Sequence, residues 1–183
     1  MARHTHTQTQ KRQMAACLAV LAVLAALVLK LSGSAHAQTP SWLGVVVHVT
    51  DGDTVYVRAG PGPAVAVRLL GLDAPEICQA GGLASRDALR AWVLHHSVTV
   101  EGMGQDSYGR ELARLYIQGQ DVGRAMVAQG HAWADRQGQQ AVPYAPEQHQ
   151  ARLDKLGLFA QAQPETPRAF RRRHGSCHTG PAQ

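Results

Sequence analysis

The sequence predicts a mainly β, α+β fold: a five-stranded barrel of the OB type with about three helices. Five short runs rich in β-branched residues are separated by turns of Gly, Pro and Asp. A segment with helical periodicity lies between the third and fourth runs, and two more follow the fifth. This order is that of an OB barrel, which commonly binds nucleic acids or saccharides. A β-sandwich or another α+β arrangement stays open on the pattern alone.

The first three strands are joined by two turns. The strands are predicted at Trp42–Thr50, Asp53–Arg58 and Ala64–Leu70. An Asp-Gly-Asp turn separates the first pair, and a Gly-Pro-Gly-Pro loop, which cannot continue a helix, precedes the third strand. Because side chains alternate along a strand, Arg68 shares a face with small or apolar neighbours. It is either an arginine at the mouth of the barrel or a surface arginine paired to an acid.

The second half of the domain alternates helices with strands. Helices are predicted at Gly82–His95, Asp121–Gln129 and Tyr144–Leu156, and strands at Ser97–Glu101 and Glu111–Ile117. Asp121 is placed to cap the second helix, and Gly130 to end it. Residues 131–143 have no clear period.

The N-terminus predicts export. A basic start and an apolar run from Met14 to Leu29 precede Ala35-His36-Ala37, the pattern of a signal peptide over residues 1–37. We expect a secreted or periplasmic protein without stable membrane association, and an uncleaved N-terminal anchor is the alternative. The remaining chain divides into a domain over residues 41–162 and a basic, flexible tail over residues 163–183.

The net charge of the chain does not indicate a basic nucleic-acid-binding face. The whole chain carries +5, but residues 38–162 hold 10 Lys and Arg against 12 Asp and Glu. The sequence pI of about 9.5 therefore reflects the leader and the tail. Any contact with a polyanion must come from individually placed arginines.

Two cysteines follow the predicted leader, Cys78 and Cys177, and their spacing is not that of a metal site. In an oxidising compartment they could join the tail to the domain. The alternative is a pair of free thiols.

Acidic side chains collect at the strand ends. They are Asp51, Asp53, Asp73 and Glu76. Carboxylates gathered from separate turns suit a hard divalent cation, which prefers oxygen ligands. Each motif also has an ordinary explanation, because Asp-Gly-Asp and Asp-Ala-Pro-Glu are common turn sequences and Arg110 could simply pair with Asp106.

Taken together, the motifs are specific. Asp-Gly-Asp-Thr, an arginine before two leucines, Gly-x-Asp-Ala-Pro-Glu and a distant Asp-x-Tyr-Gly-Arg occur in this order, and the pattern resembles the staphylococcal nuclease (thermonuclease) family from about Val45 to about Phe159. The resemblance implies an OB-fold barrel with three helices. It also implies a calcium-dependent phosphodiesterase that acts on DNA and RNA and leaves 3′-phosphates. We expect a monomer.

The resemblance assigns roles to individual residues. Asp53 and Asp73 match the calcium-ligating aspartates, and Asp51 matches an acid just outside the metal's ligands. Ala74 stands where the family often has threonine, so it would offer only its backbone carbonyl to the metal.

Three further positions match the family's catalytic residues, and three aromatic residues are candidates to contact a nucleic-acid base. The catalytic positions are Arg68, Glu76 and Arg110. Tyr108 matches a nucleotide-binding position, and Trp133 or Tyr144 is a candidate to stack on a base. For Trp133 we favour core packing. The rival interpretations are an inactive OB module that binds nucleic acid and an OB module that binds saccharides.

Overall fold

The computed structural model of the chain describes residues 40–137 and 141–177. The predicted signal peptide, residues 1–37, and the end of the predicted tail, residues 178–183, lie outside the described residues. Among the residues that are described, no helix is both long and apolar enough to cross a membrane.

Within the described residues, the five predicted strands and three predicted helices occur in the predicted order, and three two-residue strands and one further helix add to them. The strands are β1 Ser41–Val49, β2 Thr54–Arg58, β3 Val65–Leu69, β4 Leu72–Asp73, β5 Ser97–Gln105, β6 Glu111–Ile117, β7 Gln120–Asp121 and β8 Trp133–Ala134. The helices are α1 Gly82–Val93, α2 Val122–Ala128, α3 Ala145–Leu153 and α4 Pro167–His174, with a 3-10 turn at Gly157–Ala160.

Five of these strands close into a barrel. β1 pairs antiparallel with β2 and β5, β2 with β3, and β5 with β6. Parallel pairing of β3 with β6 completes the barrel and places Arg68 opposite Leu112. The predicted OB-type barrel is confirmed.

The core of the barrel follows from strand alternation. Alternate residues of β2, β3 and β6 point inward, and six of them are at most 1% exposed: Val55, Val57, Val67, Leu69, Ala113 and Leu115. Helix α1 adds Leu89 and Val93 to the same core. Apolar burial of this extent is the main stabilising contribution to the barrel.

Helix α1 also fixes the turn between β1 and β2. Gly52 is buried against the start of α1, where a Cβ atom would lie 1.8 Å from Ser85 Oγ. Only glycine fits here without a shift of the helix. The contact therefore sets the position of the flanking Asp51 and Asp53.

Asp121 caps helix α2, as predicted. Its carboxylate accepts a hydrogen bond of 3.0 Å from the backbone N–H of Arg124. A second, smaller apolar cluster, formed by Trp133, Ala151, Leu158 and Phe159, joins β8, α3 and the 3-10 turn.

The C-terminal segment differs from the sequence prediction of a flexible tail. Residues 167–174 form α4, with the Thr166 side chain accepting a hydrogen bond from Ala169 N and Pro167 in the first turn. Beyond the helix, Cys177 forms a disulfide with Cys78 across a Cα–Cα distance of 5.9 Å. Composition alone identifies a basic, proline-containing stretch, but the cap and the covalent link order it.

Candidate active site

A cleft of about 670 Å³ opens at the mouth of the barrel. Its lining contains eight charged side chains and four others: Asp51, Arg68, Asp73, Glu76, Asp106, Tyr108, Arg110, Leu112, Asp135, Gln137, Arg171 and Ser176. The structure thus brings together, in one cleft, residues that are distant in the chain.

Arg68 joins the two predicted metal aspartates. Its position in β3 lies opposite Thr54 of β2, and the N–H of Leu69 donates to the Asp53 carbonyl at 2.8 Å, which fixes this register. Its guanidinium donates from Nη1 to Asp53 Oδ1 and from Nη2 to Asp73 Oδ1, the latter at 2.9 Å. The two carboxylates therefore face the same cationic group.

Asp53 does not line the cleft: it is 1% exposed and lies behind Arg68, which does. Its Oδ2 accepts from Ala74 N at 2.7 Å, and its Oδ1 accepts from the Thr54 hydroxyl at 3.1 Å as well as from Arg68. Burial raises the pKa of Asp53 well above its ordinary value, although attraction to Arg68 opposes this shift and repulsion from Asp51 adds to it. Asp51 accepts from Asp53 N at 3.0 Å and lines the cleft beside it.

Arg110 is held at the opposite wall by the turn before β6. Asp106 accepts from Arg110 N at 3.0 Å and from Arg110 Nε at 2.7 Å. Burial alone would raise the pKa of Asp106, but these hydrogen bonds and one from the N–H of Tyr108 outweigh it, so the pKa lies below its ordinary value. The other end of the guanidinium donates to Thr54 Oγ1 at 3.3 Å. The pairing with Asp106 therefore orients Arg110 and does not remove it from the cleft.

Tyr108 projects into the cleft beside Arg110. Its side chain is 83% exposed, and its ring centroid lies 5.4 Å from the Arg110 guanidinium carbon. An exposed aromatic ring next to a guanidinium provides a surface on which a nucleic-acid base can stack.

Glu76 lies in the same cleft and is paired to a residue that the sequence analysis missed. Glu76 Oε1 accepts from Arg171 Nη1 at 3.0 Å, and Arg171 also contacts both Asp73 oxygens, at 2.9 and 3.0 Å. Hydrogen bonding to Asp73 is the main factor that raises the pKa of Arg171. Cys78 follows Glu76 by two residues and Cys177 follows Arg171 by six, so the possible disulfide was the signal that could have placed Arg171 here.

Trp133 and Tyr144 do not line the cleft, which corrects their assignment to substrate binding. Trp133 is 7% exposed, packs edge-on against Phe159 at 5.0 Å and belongs to the second apolar cluster. Tyr144 is 2% exposed and its hydroxyl donates to Asp121. Tyr144 belongs to the core cluster of the barrel, and Trp133 belongs to the smaller cluster with Leu158 and Phe159. The preference for core packing of Trp133 agrees with this position.

The acidic residues fit a hard divalent cation in their chemistry. Within residues 40–137 and 141–177, no cluster of three or more His, Cys, Asp or Glu is arranged to hold a metal. However, Asp53 and Asp73 both contact one positive charge, Arg68, with Asp51 alongside. Carboxylate oxygens are the ligands that such an ion prefers, although here both Asp53 oxygens and Asp73 Oδ1 accept hydrogen bonds from the protein. The contact of Ala74 with Asp53 is made by the Ala74 N–H and does not involve its carbonyl.

Comparison with known proteins shows similarity to nucleases. The family model for staphylococcal nuclease homologues matches residues 66–161. An uncharacterized endonuclease of Haemophilus influenzae is 37% identical over 127 residues, 69% of this chain and 71% of that protein. Protein ParB of Escherichia coli is 36% identical over 176 residues, 88% of this chain and 94% of its own. A micrococcal nuclease of Shigella flexneri is 34% identical over 172 residues, 86% of this chain and 94% of its own.

Proposed function

Since the chain belongs to the staphylococcal nuclease family and is therefore a phosphodiester-hydrolysing nuclease, we propose that it depends on calcium, cleaves both DNA and RNA, and leaves 3′-phosphate ends. One observation carries the proposal. Arg68, Arg110 and Glu76 line a single solvent-open cleft beside the buried Asp53. Together these side chains can bind a phosphodiester and direct a water molecule at its phosphorus.

The two arginines bind the scissile phosphate. A guanidinium presents forked N–H donors that match two phosphate oxygens, a geometry that lysine lacks. Asp106 holds Arg110, and Asp53 and Asp73 hold Arg68, so both forks are oriented before substrate arrives. Negative charge grows on the phosphate oxygens during attack, and each preorganised donor stabilises that charge by about 3 kcal/mol.

Glu76 acts on the attacking water. Its carboxylate orients the water and accepts its proton as the water oxygen bonds to phosphorus. The P–O5′ bond breaks, the phosphate stays on the 3′-oxygen of the upstream fragment, and the departing O5′ takes a proton from solvent water. Tyr108 stacks against a base next to the scissile phosphate, because its ring is exposed at the edge of the cleft.

Asp53 and Asp73 would hold the calcium ion, with Asp51 outside its ligands and the Ala74 carbonyl as an additional oxygen. When bound, calcium polarises a phosphate oxygen and neutralises part of its charge. The residues of the chain provide the rest: the acids form the cation site, and Arg68, which donates to Oδ1 of both Asp53 and Asp73, would turn its donors to the phosphate when the cation binds.

We also propose that the protein is exported and monomeric. The leader pattern of residues 1–37 supports export, and the disulfide between Cys78 and Cys177 suits an oxidising compartment. N-terminal sequencing of the purified protein should begin at Gln38. A start at Met1 would favour the membrane anchor instead.

The central experiment measures cleavage of plasmid DNA and of an RNA transcript with CaCl2 and with a calcium chelator. Cleavage should require calcium and leave 5′-hydroxyl ends together with 3′ ends that a polymerase can extend only after phosphatase treatment. The substitutions Arg68→Ala, Glu76→Gln and Arg110→Ala should each lower turnover about a hundredfold or more. Arg86→Ala is the control, because Arg86 pairs with Asp87 at the exposed face of α1.

The inactive nucleic-acid-binding module predicts a different result. Such a protein would retard DNA in a gel without cutting it, with or without calcium. A wild-type rate of cleavage in all three variants would show that the site assignment is wrong, and tight binding to a neutral polysaccharide would favour the saccharide module.

A further inference from the structure

Helix α4 delivers a third arginine to the cleft. Arg171 Nη2 donates to Asp73 Oδ2 at 2.9 Å, while Nη1 donates to Asp73 Oδ1 and to Glu76 Oε1, both at 3.0 Å. Its side chain is 33% exposed, so it lies at the solvent boundary of the site. Arg171 thus sits between a proposed metal ligand and the proposed base.

The helix is fastened to the loop that carries Glu76. The disulfide joins Cys78 to Cys177, and the backbone N–H of Cys177 donates to Glu76 Oε2 at 3.4 Å. Just before the helix begins, the Glu165 carbonyl accepts a hydrogen bond of 2.8 Å from Gln79 Nε2. Cys78 and Glu76 lie two residues apart in the same segment. The disulfide therefore holds Arg171 close to Asp73 and Glu76.

Asp73 cannot serve Arg171 and a divalent cation equally well. Both of its oxygens already accept hydrogen bonds from Arg171, and Oδ1 also accepts from Arg68. A divalent cation on this carboxylate would stand close to a second positive charge, and like charges at short range repel. The guanidinium must move away, or the cation must bind more weakly.

We propose that Arg171 competes with the divalent cation for Asp73, so that the disulfide-held helix α4 raises the cation concentration that the nuclease site needs. The inference rests on the proposed cation site and adds to it a residue that sets its affinity. In the absence of the cation, Arg171 holds Asp73 and Glu76 in position through its hydrogen bonds. It withdraws from Asp73 when the cation binds.

Isothermal titration of the full-length protein with CaCl2, without nucleic acid, tests the proposal. Arg171→Gln removes the positive charge and should lower the dissociation constant for calcium about tenfold, as expected for one charge acting at short range in a solvated site. Arg172→Gln is the matched control. Arg172 is the next residue of α4 and is exposed, so its removal should change the constant less than twofold.

A second variant tests the role of the tether. Cys78→Ser with Cys177→Ser should also tighten calcium binding, because α4 is then free to leave the cleft. In the Arg171→Gln background the same pair of substitutions should add nothing further. Thermal unfolding and circular dichroism check that every variant is folded.

Each outcome supports or overturns the inference. An unchanged or weaker calcium constant in Arg171→Gln overturns it, as does equal tightening in Arg172→Gln or the absence of calcium binding in every form. An unchanged calcium constant together with a raised KM for DNA would make Arg171 a phosphate ligand. Tighter calcium binding in a protein that never cuts DNA would leave the inference standing while the proposed function fails.

Discussion

Replacing Arg68 with alanine should destabilise the barrel mainly by leaving Asp53 without its cationic partner. Asp53 is 1% exposed, and the Arg68 side chain is 16% exposed, so their ion pair is largely shielded from water. Breaking a buried pair by removing one partner costs about 3–5 kcal/mol. Asp53 keeps two other donors, the Thr54 hydroxyl and the Ala74 N–H, so we expect a loss of about 2–4 kcal/mol in the free energy of unfolding.

The loss should be larger at pH 7 than at pH 5. Burial already raises the pKa of Asp53, and Arg68 opposes that shift. Without Arg68 the pKa rises further. A carboxyl group with a raised pKa in the folded state contributes stability that is full below its unfolded pKa of about 4 and is lost as the pH rises through the folded pKa. Acidification towards pH 5 therefore protonates Asp53 in the variant and recovers part of the loss.

Urea unfolding followed by tryptophan fluorescence, in chelator so that no calcium contributes, measures these differences. The double variant Arg68→Ala with Asp53→Asn isolates the pair. Because the amide carries no charge, the double variant should be about 1–3 kcal/mol more stable than the sum of the two single losses predicts. Strict additivity of the two losses at both pH values would refute the argument that the buried charge, and not lost packing, is responsible.

Three other substitutions test separate parts of the structure. Tyr108→Ala should raise KM for DNA several-fold and change stability by less than about 0.5 kcal/mol, because the ring is 83% exposed; an unchanged KM would exclude base stacking. Tyr144→Phe should lose about 1–2 kcal/mol of stability in urea, because its buried hydrogen bond to Asp121 disappears, with turnover unchanged; lost turnover would return Tyr144 to the substrate site. Gly52→Ala should lower the melting temperature at a cost of about 1–3 kcal/mol, since the new Cβ meets Ser85; a wild-type melting temperature would mean that α1 yields at no cost.

The barrel and most of the cleft could be predicted because they depend on local chemistry. Strand alternation in β2 and β3 fixes which side chains point inward, and turn residues fix where the strands end. Strand alternation alone left Arg68 open as a barrel-mouth or a surface arginine, and Asp-Gly-Asp alone is an ordinary turn, so Arg68 and Asp53 were placed in one site only by the combined motifs. The nuclease activity was predicted from the order of several motifs, since each motif alone is compatible with an ordinary turn.

Features that depend on distant contacts were not predictable in the same way. Whether Trp133 and Tyr144 face substrate or core is decided by the packing of α3 and the 3-10 turn, which sequence period does not reveal. The position of Arg171 depends on a disulfide whose partners are 99 residues apart. Cysteine pairing could be considered from sequence, but the contact between Arg171 and Asp73 could not.

The parallel pairing of β3 with β6 has a consequence for how activity is gained and lost. Arg68 lies within this pair and Arg110 immediately precedes it, so the two arginines that we propose bind phosphate belong to the two segments whose pairing closes the barrel. Pairing strands so far apart in the chain is a slow, long-range step in folding. Recovery of nuclease activity after dilution from urea should therefore follow the formation of the β3–β6 pairing. A transient opening of this pair of strands would abolish activity while the remaining strands stay folded.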